Sequence, residues 1–576
     1  YIRLSVGAGS SGSVLANRLS EDPSNSVLVV EAGGSGEWSV SIAIPFLQGL
    51  VLQSKHDWGY KTEPQKFACK GLKDQRSYWP RGRVLGGSSS MNGMVYVRGS
   101  RHDFDDWAAN GCQGWSYKDV LPYFIKSENI QISDCKNSDY HGKDGPLHVS
   151  SGNATPLADI FGDAMEEMGY RTVDTNGEDM IGYSKTQLTT KNGVRCDTAK
   201  AFLRPAMSRP NLHVSINTIV SKVIIENGRA VGIKVIKDRV EHVIRCNKEV
   251  ILSAGSIGTP QILLLSGIGP AEHLNELRIS VQADLPVGQN LQDHLFTPLS
   301  FFPNESLSVT TGKLLNPTSI LQWIVQGTGY LSISGLEGNT FVKTNANDSN
   351  NYPDIQMHLY SVSMSKQARD RALEVVNLKP EYATVVTSTE NLSKERFQIF
   401  VILLHPKSRG TIKLRSTDPF DHPIIDPNYL SESEDVETMI RGIRFALKVA
   451  NTSVFNKFGI DDTHPHFDMP SWRRYKYGTD AYWEEYIRHL TFTVYHPSCT
   501  CAMGRKDDPE AVVDPNLRVR GIENLRVADC SVMRNITSGN TNAPTIMIGE
   551  KAADLILQRD SVKDIKQRIR HILDKV

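Results

Sequence analysis

At 576 residues, with 39% hydrophobic and 22% charged positions, the chain is long enough for two or more domains' worth of core and has the composition of an ordinary globular protein. Its 64 basic and 64 acidic residues cancel, which removes the electrostatic case for nucleic acid or an anionic membrane surface. No apolar run reaches the length of a transmembrane helix, and no internal repeat or low-complexity tract is present.

Residues 1–6 (YIRLSV) read as a short strand, followed by GAGSSG with Gly7, Gly9 and Gly12, and then by the helical run SVLANRLS. Strand, tight turn and helix start together set backbone N–H groups, among them those of Ser10 and Ser11, and the positive end of the helix dipole against a pyrophosphate. A second strand, residues 26–30 (SVLVV), ends at Glu31, nineteen residues after Gly12, where a carboxylate beside Ala32 suits the ribose hydroxyls of an adenosine. The spacing implies a dinucleotide without choosing between NAD and FAD. Arg3 and Ser5 interrupt a strand that ought to be apolar if it is central and parallel. The chain begins inside that strand, so a signal or transit peptide would not be visible.

The next landmark is GRVLGGSSSMNGMVYVRGSRHDFD, Gly82 to Asp105. Gly86 and Gly87 permit close approach to a bulky ligand, and Ser88 to Ser90 offer hydroxyls and amides. Further on, EVILSAG reads as a strand turning into the helix of GSIGTPQILLLSGIG (Gly255–Gly269), with Thr259 and Pro260 suited to its start and Ser266-Gly267 to its end. Strand-like runs such as DIQMHLYSV and RFQIFVILL and the helical SEDVETMIRGIRFALKVA fill the middle. His496 follows in TVYHPSCTCAMG, and Asn542 in SGNTNAPTIMIGEKAADLI.

These segments resemble the signatures of the glucose-methanol-choline (GMC) oxidoreductases. The first is matched at Gly82, Arg83, Leu85, Gly86, Gly87, Ser88, Ser89, Met91, Asn92, Tyr96, Gly99 and Asp105, the second at Gly255, Ser256, Thr259, Pro260, Ile262, Leu263, Ser266, Gly267 and Gly269. The resemblance implies an α/β FAD-binding Rossmann-like domain plus an α+β substrate domain with an antiparallel sheet. The expected division gives 1–150, 205–296 and 490–560 to the FAD domain, 151–204 and 297–489 to the substrate domain, and 561–576 to a carboxy-terminal helix. The VGxNLQDH element, Val287 to His294, marks the crossing.

By the same resemblance FAD lies against Val84, Gly87, Ser88, Asn92, Gly93, Met94, Val95 and Ala254, with Val223 at the adenine, Ala528 and Asp529 at the ribityl and pyrophosphate part, and Tyr495 at the ring. Some members attach FAD through a histidine at or beside position 92; Asn92 here implies noncovalent FAD. His496 is the expected base, near neutral in pKa, and Asn542, counted back from Thr545, the group that orients the alcohol hydroxyl. The expected reaction is oxidation of the CH–OH group of a small alcohol, with hydride passing to the flavin and reoxidation by oxygen or a quinone-like acceptor.

The wording resembles the animal branch: glucose dehydrogenases, choline dehydrogenases and aromatic-alcohol or mandelonitrile-type oxidases. Substrates in view are therefore an aromatic alcohol, a cyanohydrin or a sugar, with choline as the alternative. Two other classes are weighed, an NAD(P)-dependent Rossmann dehydrogenase and a non-catalytic flavoprotein; the paired signatures argue against the first and the retained His496 and Asn542 against the second. No metal spacing is found, and nothing fixes an oligomeric state. Cys69, Cys112 and Cys135 are candidates for a disulfide, and N-x-S/T sequons stand at Asn153, Asn304, Asn347, Asn391, Asn451 and Asn535. They permit secretion without deciding it; a secreted or lumenal glycoprotein is the expectation, with a mitochondrial location as the alternative.

Overall fold

The computed structural model describes all residues except 153, 346–350, 364, 388–394, 461–468 and 576. The sequons Asn153, Asn347 and Asn391 lie outside the described residues.

Three distant stretches of chain build one parallel sheet, in the spatial order Leu212–Ser215, Val27–Val30, Arg3–Val6, Glu249–Leu252, Leu525–Val527. Of the first strand's two polar residues, Arg3 is accommodated by an ion cluster, whereas the buried Ser5 hydroxyl has no hydrogen-bond partner among the described residues. Arg3 Nε donates to Glu249 Oε1 at 3.0 Å on the neighbouring strand, and Arg526 Nε donates to the other oxygen of the same carboxylate at 2.6 Å. A charge inside a sheet is tolerable when its partner is built into the adjacent strand. Helix Ser10–Leu19 covers the sheet and packs on helix Asn542–Leu557, through a seam where a Cβ added at Gly549 would lie 3.0 Å from the Ser11 carbonyl.

The helix expected to begin at Thr259-Pro260 runs from Gly255 to Leu265, with Pro260 inside it. Proline cannot donate to the Ser256 carbonyl one turn back. Thr500 Oγ1 donates to that carbonyl instead, at 2.8 Å, so a side chain from the carboxy-terminal segment repairs the ladder.

The second layer is a six-stranded antiparallel sheet ordered Phe492–Thr493, Leu295–Phe301, Phe397–Leu403, Ile355–Tyr360, Leu336–Val342, Gly182–Lys185. Its alternation is legible in RFQIFVILL. Phe397, Ile399, Val401 and Leu403 belong to the core packed against helix Ser433–Ala450, where Gly442 lets Val401 and Ile355 approach. Gln398, Phe400 and Ile402 point the other way, toward the cavity between the two layers. The strand Leu295–Phe301 begins, and the edge strand Phe492–Thr493 lies, just beyond the expected segment 297–489. The expected last helix is two short ones, Lys563–Arg568 and Arg570–Leu573, which bury Val562, Ile569 and Ile572 in the core of the parallel-sheet layer.

All eight cysteines are free thiols, which corrects the expected disulfide. Cys69 is held in the core of the antiparallel layer with its Sγ near the Thr491 carbonyl, whereas Cys112 sits in the other core against the Met503 carbonyl. Among the described residues no helix is long and apolar enough to cross a membrane.

Candidate active site

A cavity of about 920 Å³ runs from the carboxyl ends of the parallel strands to the inner face of the antiparallel sheet. The strand ends contribute Val6, Gly7, Val30, Glu31, Ser253 and Ala254, the crevice in which open α/β sheets bind ligands.

On this side the wall is backbone. Gly7 has φ +94°, and a Cβ at Gly12 would stand 2.0 Å from the Gly7 carbonyl oxygen, so Gly12 serves the strand-to-helix fold and is not on the wall. Gly9 differs. A Cβ there would meet only Gly87 Cα, at 3.9 Å, and would otherwise project into the cavity. Gly87, at φ +54°, would itself clash with Gly9 Cα at 2.7 Å, so the two glycine loops close on each other across the chain. The Glu31 carboxylate takes amide protons from Ala8 at 2.9 Å and Gly33 at 2.8 Å, which anchors it at the cavity edge with lone pairs to spare. The amino terminus of helix Ser10–Leu19, a clamped carboxylate and a glycine whose Cβ would fill the cavity together fit the pyrophosphate and ribose of a dinucleotide.

Ser10, Ser11, Ala32, Ser88, Asn92, Gly93, Met94, Val95, Ala254, Tyr495 and Asp529 also lie on the wall. Four expected contacts do not: besides Gly12, Val84 packs in a small core with Ile42 and Met91, Val223 is turned into the core with its amide on Ser266 Oγ at 2.8 Å, and the Ala528 carbonyl is used up by Ser11 and Ser253 hydroxyls. Val220, three residues earlier on the strand of Val223, is the wall residue there. Asp529 faces its polar atoms away, accepting from Gly255 N at 2.9 Å, Thr259 Oγ1 at 2.6 Å and Ser531 N at 2.8 Å, and thereby fixes the start of helix Gly255–Leu265.

A buried arginine not identified in the sequence holds the Asn92 loop. Arg195 donates to Ile42 O at 2.9 Å, Ser89 O at 3.1 Å, Asn92 O at 2.8 Å and Asn92 Oδ1 at 2.9 Å. Burial lowers its pKa to about 10, with Asp197 opposing the shift.

At the opposite end stands His496, buried, at the head of a chain of rings. His294 Nε2 lies 3.0 Å from the Leu404 carbonyl, His294 Nδ1 lies 3.0 Å from His496 Nδ1, and His496 Nε2 lies 3.3 Å from Asn540 Nδ2. A carbonyl only accepts, so His294 carries its proton on Nε2 and offers Nδ1 as acceptor. His496 must then carry its proton on Nδ1, which leaves Nε2 as a lone pair in the cavity. Burial, followed by the neighbouring His294, Arg81 and His358, holds His496 well below the usual histidine pKa, and burial takes His294 down to about 3. Both rings are neutral at physiological pH. The His496 amide is pinned by Asp293 Oδ1 at 2.8 Å. The flanking Tyr495 adopts φ +66°, and its carbonyl accepts from Arg81 Nη2 at 2.7 Å.

The expected partner of His496 is corrected by this geometry. Asn542 starts helix Asn542–Leu557 and accepts from Ser10 Oγ at 2.8 Å, so it belongs to the dinucleotide end. Asn540, two residues earlier in the same N-T-N tripeptide, is the asparagine on the His496 lone pair. Its oxygen receives Gln356 Nε2 at 3.4 Å, which turns its amide toward the histidine. His294, the last letter of VGxNLQDH, was legible only as part of a boundary.

A family model described as GMC oxidoreductase matches residues 1–296, and its carboxy-terminal counterpart matches residues 406–549. The chain belongs to the GMC oxidoreductases. It is 40% identical over 565 residues to a protein named glucose dehydrogenase [FAD, quinone] of Drosophila pseudoobscura pseudoobscura, covering 96% of this chain and 86% of the relative. It is 39% identical to a mitochondrial choline dehydrogenase of Mus musculus, covering 98% and 90%. Among solved structures, pyridoxine 4-oxidase from Mesorbium loti superposes with a TM-score of 0.81 at 26% identity, covering 97% of this chain and 99% of the other. This GMC enzyme is an FAD-dependent oxidoreductase acting on CH–OH donors.

Proposed function

We propose that His496 takes the hydroxyl proton of the bound alcohol on Nε2, while Asn540 donates a hydrogen bond to the developing alkoxide. The observation that carries this is the ring chain from Leu404 through His294, which leaves Nε2 as the basic nitrogen of His496 in the cavity, where without substrate it accepts from the Asn540 amide. FAD, held by the glycine loops at Gly9 and Gly87 and by the Asn92 loop, would supply the hydride acceptor. The protein's part is to place that carbon, remove the proton and keep water out, and a neutral base with a fixed tautomer suits all three. His358, on the same sheet face, has neither ring nitrogen in good hydrogen-bonding geometry with the protein and is held near pKa 4 by burial, so it is a further neutral group open to the hydroxyl.

Asn92 in place of a histidine supports noncovalent FAD. The quinone in one relative's name and the words oxygen-dependent in another's support the two acceptors considered, and air against a soluble quinone in turnover decides between them. For the compartment, the exposed sequons Asn304 and Asn451 support secretion, and the mitochondrial name of one relative supports the alternative.

Anaerobic stopped-flow reduction by an aromatic alcohol tests the chemistry. His496→Ala should slow flavin reduction about a hundredfold or more, and Asn540→Ala about tenfold, the worth of one hydrogen bond. Asn542→Ala should show itself in FAD affinity. Near-normal reduction in FAD-loaded His496→Ala would remove this base, and a larger rate loss in Asn542→Ala than in Asn540→Ala would reinstate the sequence-based pairing.

A further inference from the structure

We propose that the cavity has a second recognition point, an anion-binding subsite at Arg396, and that the preferred alcohol carries a carboxylate at the end remote from the oxidised carbon. The proposal rests on His496 and Asn540 marking the reaction end.

Arg396 immediately precedes the strand Phe397–Leu403 and shares the alternation of Gln398, Phe400 and Ile402, all on the cavity wall. It is 5% exposed. One N–H is given to the Val386 carbonyl at 2.7 Å, and no carboxylate among the described residues pairs with it. Burial pulls its pKa down to about 10, the Tyr360 phenol acting to raise it and Arg369 to lower it further. Arg369 is also buried, but it has its own acid, Asp370, at 2.7 Å. The shortage of anions therefore falls on Arg396.

The rest of the wall sharpens the contrast. Its only carboxylates among the described residues are Glu31 and Asp529, both committed to backbone amides at the dinucleotide end. The substrate side contributes no acid to the wall, and its other arginine, Arg371, is exposed and paired with Glu374 at 3.1 Å. A buried guanidinium without a counter-ion is costly. A strut to one carbonyl would need only a neutral donor, whereas a planar fork with free N–H groups is matched to a carboxylate.

Between the two ends lies an aromatic wall. Tyr360 stacks on Phe400 at 5.3 Å, and Phe296 faces Phe400 at 4.5 Å. Four residue steps along extended chain separate Phe400 from Arg396, roughly 13 Å at the usual rise, and the long arginine side chain spans part of that. A flat, elongated alcohol with a terminal carboxylate fits this succession. A quaternary ammonium at that end would meet the Arg396 guanidinium and no carboxylate of the wall among the described residues.

The test uses three probes on the FAD-loaded enzyme: a hydroxymethyl-biphenyl carboxylate, the corresponding carboxamide and the corresponding trimethylammonium compound. Wild type should reduce fastest with the carboxylate at sub-saturating concentration, by about tenfold over the amide and more over the ammonium. Arg396→Gln should bring the carboxylate-to-amide ratio to about one, with the loss in apparent affinity and not in the limiting rate, and Arg396→Lys should restore much of it. A wild type without preference, or a preference that survives Arg396→Gln, overturns the subsite. Biphenyl carboxylate without the hydroxyl, titrated by its perturbation of the flavin spectrum, separates the two readings. Arg396-dependent binding supports the subsite even where no alcohol reduces the flavin, which would count against the reaction-end assignment alone; no binding to wild type overturns the subsite.

Discussion

The two sides of the cavity are built by different means. The dinucleotide side is made of turns, helix starts and backbone amides, with Gly9, Gly87 and Glu31 each tied to a short local segment. The substrate side is one face of a sheet, where His358, Tyr360, Arg396, Gln398 and Phe400 meet only because the strands Ile355–Tyr360 and Phe397–Leu403 pair in one register. Local geometry constrains the residue type at almost every position on the first side. On the second, any side chain of suitable size satisfies the fold, and the choice is free to follow the substrate.

The sharpest break of this contrast is Gly9→Val. Gly12 cannot report on cofactor binding, because its Cβ would strike the Gly7 carbonyl at 2.0 Å and disturb the fold. The Gly9 position has room within the protein, so a valine there should leave a folded chain and exclude the pyrophosphate. The expected outcome is colourless protein with a normal circular dichroism spectrum, beside a yellow wild type that releases its colour on acid precipitation. Full FAD occupancy in Gly9→Val would refute the cradle, and colour retained in the acid pellet would refute noncovalent attachment.

The same contrast explains what could be read from the sequence. Strand, GAGSSG turn and helix, with Glu31 nineteen residues on, are a local pattern with one physical purpose, so the parallel layer and its cradle were legible. The alternation of RFQIFVILL announced a half-buried strand but not which neighbours it would meet. His496 was legible from its segment, whereas His294 comes from two hundred and two residues away through a non-local pairing that sequence spacing does not encode. The exchange of Asn542 for Asn540 is a subtler failure. In N-T-N the helix begins at the second asparagine, so the two side chains diverge, and only backbone geometry decides which reaches the base. Val223 failed in the same way, since the wall residue of its strand is three positions earlier.

The junction between the two regions gives a smaller effect. His141 is buried with Nδ1 on Glu128 at 2.9 Å and Nε2 on Asp174 at 2.6 Å, and Arg98 donates to Glu128 at 2.9 Å. The cluster ties the loop after the first signature to the segment leading into the antiparallel sheet. Cys135, His141 and Asp174 have the spacing of metal ligands, yet both ring nitrogens already face carboxylates. Burial alone would lower the His141 pKa, but hydrogen bonds with Asp174, Cys135 and Glu128 override it and raise it to about 10. The folded state therefore holds a proton that the unfolded state releases above about 6.5, so this stabilisation is full below that pH and is lost as pH rises toward 10. His141→Gln should cost about 3 kcal/mol near neutral pH and flatten the decline of the apparent melting temperature between pH 7 and 10. An unchanged alkaline decline would remove His141 from the junction.

The smallest expected effect is the most diagnostic for the reaction end. A solvated histidine base loses activity as pH falls through its usual range near 6.5. His496 is depressed well below that by burial and then by His294, so its base form persists across the neutral range and fails only at markedly lower pH. Flavin reduction by a neutral alcohol should then vary by less than about twofold from pH 6 to 9. His294→Ala should admit water beside the ring, remove the acceptor for Nδ1–H and let the acidic limb move upward toward the ordinary histidine range. The two profiles read together isolate the ring chain: a flat wild type and a shifted variant require that His294 sets both the tautomer and the pKa of the base. An acidic limb near 6.5 in wild type would show that His496 meets solvent like any surface histidine, and that the order so evident on the dinucleotide side does not extend to the base.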